Sequence, residues 1–285
     1  MIEYATDAAF RSALDTRLRN RARERNISIV RLRKEVIFER WLARLLRVEP
    51  EGWMLKGAVA IEFRLRDVAR TSKDVDIEGF DTLEEVNDLF QQCAQLDLGD
   101  RFVFSATTIR ESKMRDGSIV GTYRLVTELG GLEFDRVHSD VQVGRRPAIR
   151  AELVTGPDYL NFAGVPTVAI PTLPLPFQIA EKVHAYTRRY RDGSNSTRVR
   201  DLVDLVLIAN SLSGQVVTAE LASALNATFN ERATHETPSA LPEPPADWAI
   251  PYAAEARALG LPTELKAAHA IAAALVGPAL KMAGD

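Results

Sequence analysis

Two aspartates stand two positions apart in the stretch Ser72-Lys73-Asp74-Val75-Asp76. On a β-strand, residues i and i+2 point to the same face, so Asp74 and Asp76 project together. Two carboxylates at that spacing repel each other unless a cation lies between them. Hard oxygen ligands of this kind suit Mg²⁺, which keeps open positions for substrate phosphates. Upstream, Lys56-Gly57-Ala58 follows a short apolar run and leads into a helical pattern. A glycine turn at a helix N-terminus offers free N–H groups and the positive end of the helix dipole to a phosphate. One βαβ-sized stretch therefore supplies a phosphate cradle at Lys56, Gly57 and Ala58 and a metal clamp at Asp74 and Asp76. Nucleotidyl transfer needs this hardware: one metal on the triphosphate, and a second activating the attacking hydroxyl for in-line displacement. An Asp-x-Asp pair also arises on the wet face of any strand. The upstream turn at this spacing is what favours chemistry.

The elements that must position these residues are legible as patterns. Residues 6–48 contain neither Pro nor Gly, and apolar residues recur at three- and four-residue spacing. That predicts two helices broken near Asn26-Ile27-Ser28, with Ser28 capping the second. Val59–Leu65 reads as helix. Lys73–Glu78 alternates apolar and acidic residues as a strand does. Thr82–Leu96 reads as an amphipathic helix capped by Thr82 or Asp81. Residues 101–155 have β character, with hairpin turns expected at Asp116-Gly117 and Gly130-Gly131. Four prolines between Val165 and Phe177 predict an extended connector or domain boundary. From Phe177 the pattern is helical through Ala185, and again over Val199–Asn210, with a polar loop between. A second proline-rich connector spans 234–251, and an Ala-rich tail from Tyr252 to Lys281 reads as two or three short helices. The expected class is α+β: a mixed sheet with N-terminal helices over 1–165, and a helical domain over 166–285.

The chain has 285 residues, 46% hydrophobic, 26% charged and 7% aromatic. This is the profile of a soluble globular protein and excludes wholesale disorder or a fibrous repeat. No run of about 18 apolar residues predicts a membrane span. The opening MIEYATDAAF does not read as a signal peptide. One cysteine, Cys93, and four scattered histidines exclude a disulfide framework and zinc-type spacing and fit a cytoplasmic location. The net charge of −3 hides an asymmetry. Arg11–Arg47 holds twelve Arg or Lys against four Asp or Glu, and Arg188, Arg189, Arg191, Arg198 and Arg200 form a second cluster. Such segregation makes a footprint for a polyanion, or simply a solvated helix with a basic face.

Over residues 53–208 the sequence resembles the nucleotidyltransferase superfamily, and within it the toxin components of AbiE-type and MenAT-type toxin–antitoxin systems. Leu55-Lys56-Gly57-Ala58 matches their Leu-Lys-Gly-Gly-like turn, and Arg70–Asp76 matches an Arg-Thr-Ser-x-Asp-x-Asp stretch. Glu181-Lys182 and Arg200-Asp201-Leu202-Val203-Asp204 match two downstream helices. The resemblance implies a polymerase-β-like core with the helical domain closing the active-site cleft. It implies a cytoplasmic Mg²⁺-dependent enzyme with a two-metal site, moving NMP from NTP to the 3′ end of tRNA and thereby blocking aminoacylation. It also implies a cognate antitoxin. Residue by residue, Asp74 and Asp76 are metal ligands, and Ser72 donates its hydroxyl to the nucleotide phosphates. Lys182 holds the triphosphate, Asp204 orients Lys182 or stabilises the site, and Arg200 lies among the nucleotide-binding residues. Asp140 is the expected third carboxylate, with Asp135 its competitor. Arg11–Arg47 and Arg188–Arg200 would meet acceptor-stem phosphates. Gly57-Ala58 departs from the usual Gly-Ser or Gly-Gly, so backbone N–H groups must compensate. Two alternatives stay open: a transferase acting on a protein or small-molecule hydroxyl, and a non-catalytic RNA- or partner-binding module on a degenerate transferase fold.

Overall fold

The computed structural model describes residues 4–114, 118–144, 149–188 and 198–284. The expected turn at Asp116-Gly117, Arg189, Arg191 and the polar loop over 191–196 lie outside the described residues. The chain divides into two compact units. One comprises Met1–Asp67 and Thr71–Leu173, and the other Val68–Arg70 and Pro174–Asp285.

The first unit opens with α1 (Asp7–Arg25) and α2 (Ile29–Val48). The break falls where the sequence predicts it. Asn26 takes a left-handed conformation with φ 52°, and the Ser28 hydroxyl accepts a hydrogen bond from the Val30 N–H at 3.2 Å, closing α1 and capping α2. Then follow β1 (Met54–Lys56), α3 (Gly57–Leu65), β2 (Asp74–Phe80), α4 (Leu83–Gln95), β3 (Phe102–Lys113), β4 (Ile119–Leu129), β5 (Leu132–Val143), β6 (Glu152–Thr155) and β7 (Ala169–Thr172). The α4 start is a reciprocal cap: Thr82 accepts from the Glu85 N–H and Glu85 accepts from the Asp81 N–H.

All seven strands join one mixed sheet in the order β3-β4-β5-β2-β1-β7-β6. β2 runs parallel to β5, and β1 parallel to β7; the other neighbours are antiparallel. Gly130 and Gly131, at φ 63° and 70°, turn β4 into β5, as a tight hairpin requires. The proline-rich run after Val165 is not connector alone: the first unit ends within it, at Leu173, and it also holds β7, where Pro171 pairs with Leu153. β5 is continuous over Leu132–Val143.

One sheet face presents Val75, Ile77, Val141 and Leu125, all fully buried, to the helices. Trp41 of α2 meets Phe90 of α4 at 5.0 Å, and Phe90 meets Tyr123 of β4 at 4.6 Å. Cys93 is buried in α4 as a small apolar group. The basic stretch behaves unlike a solvated face. Arg31, Arg40 and Arg44 are buried. Arg31 bonds Glu35 and Glu62, and Arg40 bonds Glu39. Arg44 clamps Asp100 with two bonds of 2.8 and 2.7 Å. Burial lifts the Glu39 carboxyl above its ordinary pKa despite Arg40 beside it. The exposed arginines of the stretch are Arg17, Arg19, Arg23, Arg25 and Arg47.

The second unit contains α5 (Leu175–Thr187), α6 (Val199–Leu212), α7 (Thr218–Arg232), α8 (Ala249–Ala258) and α9 (Leu265–Gly284). The tail, expected to form two or three short helices, forms two, α8 of 10 residues and the longer α9 of 20. By length and composition α9 could cross a membrane, which the sequence reading did not expect, with a mean hydropathy of 1.3. Core helices of soluble proteins share this length and apolar composition. α9 packs on α6 and α7 through Ala268, Ala272, Val276 and Leu280.

Breaking a buried ion pair strands one charge, whereas replacing both partners removes the problem. Asp100→Ala is expected to lower stability by about 3–5 kcal/mol. Arg44→Met combined with Asp100→Leu should cost less than either single change. Urea unfolding of the three variants checks this.

Candidate functional site

The site begins with the period of β2. Val75 and Ile77 turn into the core, so Asp74, Asp76 and Glu78 share the opposite face. Register carries that face across the sheet. Asp74 stands beside His138, Asp76 beside Asp140, and Glu78 beside Gln142 on β5. Asp140 thus shares the face with the Asp74/Asp76 pair. Asp135 has the opposite parity on β5 and lies 3.6 Å from Lys34 of α2. His138 Nδ1 is 3.5 Å from Asp74 Oδ1, a neighbour brought in by strand pairing and absent from the motifs. One oxygen of Asp140, Oδ1, is buried without a hydrogen-bond partner.

Gly57 closes the other side. Its φ is 66°, and a Cβ built there would lie 1.9 Å from Asp76 Oδ2. Only glycine lets the backbone pass this close to the carboxylate. α3 starts at this point, and its N-cap residue, Lys56, makes no side-chain cap bond. A helix N-terminus beside carboxylates fits a metal-bound phosphate chain. Among the described residues, no three His, Cys, Asp or Glu side chains gather closely enough to hold a metal by themselves. That is compatible with Mg²⁺, which takes one or two carboxylates and completes its shell with water and substrate phosphate.

Two residues assigned to the nucleotide are committed elsewhere in this structure. Lys56 is buried, its ammonium donating to Glu78 at 2.6 Å and Gln142 at 2.7 Å. Ser72 is buried, and its hydroxyl donates to the Asp74 carbonyl at 2.9 Å, holding the entry to β2.

Within the second unit, α5 carries Lys182 and α6 carries Asp201 and Asp204. The Lys182 ammonium lies 2.7 Å from Asp204 and 3.3 Å from Asp201. Asp204 also receives two bonds from Arg70, at 2.8 and 3.0 Å. Burial opposes the charge on Lys182, but Asp204 and then Asp201 outweigh it and hold its pKa above the ordinary lysine value. Burial likewise opposes the Asp204 charge, and Lys182 and Arg70 reverse it, holding the carboxyl below its ordinary value. Asp204 is buried, while Arg200, expected among the nucleotide-binding residues, is exposed and bonds Glu255 of α8 at 2.9 Å. Asp204 faces inward because Leu202, Leu205 and Val206 bury that side of α6. Arg70, its guanidinium partner, lies 134 residues away in the chain, a pairing no local pattern reveals. His184 packs on Phe229 and His235. Burial, then His235, pushes its pKa down to about 4.

A family model described as the nucleotidyl transferase AbiEii toxin of a type IV toxin–antitoxin system matches residues 40–275. No curated protein matches the chain. Among solved structures, MenT4, a nucleotidyltransferase toxin from Mycobacterium tuberculosis H37Rv, aligns over 94% of this chain and 89% of its own. The TM-score is 0.59 and the identity 17%, a likeness of fold. JHP933 from Helicobacter pylori aligns over 90% of this chain and 94% of its own at 14% identity, with a TM-score of 0.49.

Gly57→Ala is expected to strain the backbone by roughly 1–2 kcal/mol and to displace Asp76. Nucleotide binding measured calorimetrically should then fall at least tenfold while the fold persists. Asp204→Ala deprives buried Lys182 and half-buried Arg70 of their shared carboxylate and should cost about 3–5 kcal/mol. The contribution of Asp204 is present above an ordinary carboxyl pKa of about 3.9 and is lost as pH falls through its lower folded value. Thermal melts of wild type and Asp204→Asn across acid pH test that sign.

Proposed function

The chain belongs to the AbiEii nucleotidyl transferase toxin family, and on that premise we propose that it transfers NMP from an NTP to the 3′ end of tRNA. Pyrophosphate leaves, and the blocked tRNA end can no longer be aminoacylated, which arrests growth. A nucleotidyltransferase takes an NTP, and a toxin of this family implies a cognate antitoxin.

The observation that carries the reading is the common face of Asp74, Asp76 and Asp140, set against the N-terminal start of α3. Mg²⁺ held by one or two of these carboxylates, its shell completed by water and phosphate, would neutralise triphosphate charge and lower the pKa of the attacking hydroxyl. The chain's own residues do the rest. Gly57 and Ala58 offer backbone N–H groups to the phosphates, and the bulk excluded at Gly57 keeps them beside Asp76. Asp140 brings a carboxylate oxygen with no protein partner. Ser72 fixes the Asp74 backbone. Lys182, oriented by Asp204, is assigned to the triphosphate as a compact positive charge. Exposed arginines of α1 and α2, rather than the buried ones, would meet tRNA phosphates in a sequence-tolerant, salt-sensitive contact. A cytoplasmic location goes with this acceptor.

The test is incubation of the purified protein with Mg²⁺, each α-³²P-labelled NTP, and RNA, protein and metabolite fractions, followed by sequencing of RNA 3′ ends. Label at tRNA 3′ ends is expected. Asp76→Asn and Lys182→Ala should each reduce transfer by about 10²-fold or more. Label confined to protein or metabolite would replace the acceptor. Growth inhibition unchanged by Asp74→Ala would indicate a binding module instead.

A further inference from the structure

The face that carries the carboxylates does not stop at β5. Asp74, His138, Arg124 and Thr107 stand side by side on β2, β5, β4 and β3. The next row is Asp76, Asp140, Thr122 and Arg110. With strands about 4.8 Å apart, the Arg124 backbone is roughly 10 Å from β2 and that of Arg110 roughly 14 Å. His138, Arg124 and Arg110 are exposed, so these strands present an open, cationic surface beginning at the aspartates.

Two details mark this surface as built for an anion. First, β3 has a bulge between Thr108 and Arg110. Strand parity from Thr107 would put Ile109 on this face. The extra residue shifts the register and puts Arg110 there instead. Second, the buried arginines of this unit are each held by a carboxylate, whereas Arg110 and Arg124 make no hydrogen bond or ion pair among the described residues. Between them and Asp76, Thr122 is only 8% exposed, and its Oγ1 has no hydrogen-bond partner, like the neighbouring Asp140 Oδ1. Both atoms lie on the same sheet face as Arg110 and Arg124.

We infer that the acceptor strand lies across β4 and β3 on this face, with Arg124 and Arg110 receiving its backbone phosphates and so directing its 3′ hydroxyl toward Asp74 and Asp76. The occupant is single-stranded RNA, and the inference rests on the RNA-acceptor reading above. Arg110 and Arg124 are positioning residues. They contact phosphates rather than the reacting atoms, and they confer no base preference.

The experiment measures transfer to total tRNA by the full chain and by the double variant Arg110→Ala/Arg124→Ala, with KM for RNA and for NTP determined separately. The RNA KM should rise about tenfold or more, with kcat and the NTP KM within about twofold. The slope of log affinity against log salt should fall by about 1.4, the loss of two single-strand phosphate contacts. Arg110→Lys/Arg124→Lys should restore most of the RNA affinity. An unchanged RNA KM and salt slope in a variant that melts like wild type would overturn the inference while leaving the RNA acceptor standing. Label on protein or metabolite by the wild type would overturn both.

Discussion

A carboxylate and a main chain meet at Gly57, and the arrangement of the sheet-bearing unit's site follows from that approach. Asp76 sits where any β-carbon on residue 57 would be, so the start of α3 is brought against the acidic face of β2. The charges there then arrange themselves by strand arithmetic. Period two separates Asp74 and Asp76 from Val75 and Ile77, and parallel pairing with β5 sets Asp140 beside Asp76. Between α3 and the strands nothing bulkier than hydrogen is tolerated at one position, and this single steric restriction places the helix dipole next to three acids.

The second constraint is the treatment of buried charge. In α2 a helix with thirteen buried positions carries Arg31, Glu35, Glu39, Arg40 and Arg44 among them. Each cation finds an anion or carbonyl, in part from distant sequence: Glu62 for Arg31, Asp100 and the Phe102 carbonyl for Arg44. Such pairs contribute little net stability over a well-packed apolar core, but they punish any misregister of α2 against the sheet, because a shifted helix would leave several ions unpaired at once. In the helical unit the same logic recurs on a smaller scale, where one carboxylate, Asp204, serves both Lys182 and Arg70.

What could be read from the chain divides along the range of the interaction. Local signals were legible: the break at Asn26–Ser28, the cap at Thr82, the alternation of β2 and the Gly130-Gly131 turn each depend on neighbours within four residues. The nucleotidyltransferase class followed from the ordered motifs between Lys56 and Asp204. The fate of the basic stretch was not legible, since a count of arginines cannot distinguish a solvated guanidinium from one paired with a glutamate or aspartate tens of residues away. Arg200 was placed by the motif alone, and its carboxylate partner lies 55 residues away on α8. β7 was hidden because prolines at 166, 171 and 174 look like connector, yet a strand that bonds β1 at Thr172 can still form between them. The bulge in β3 left no trace in composition, and it changes which side chain faces the acids.

Three residues, Val68–Arg70, leave the sheet-bearing unit to join the helical one before the chain returns at Thr71. The helical unit is therefore discontinuous in sequence. A fragment cut from Pro174 onward would retain Asp204 and Lys182 but lack the guanidinium that completes their cluster, so domain dissection at the apparent boundary would yield a piece with an altered interior. The same loop of chain means that insertions between Leu65 and Ser72, ordinarily a tolerant connector length, would perturb two folding units at once.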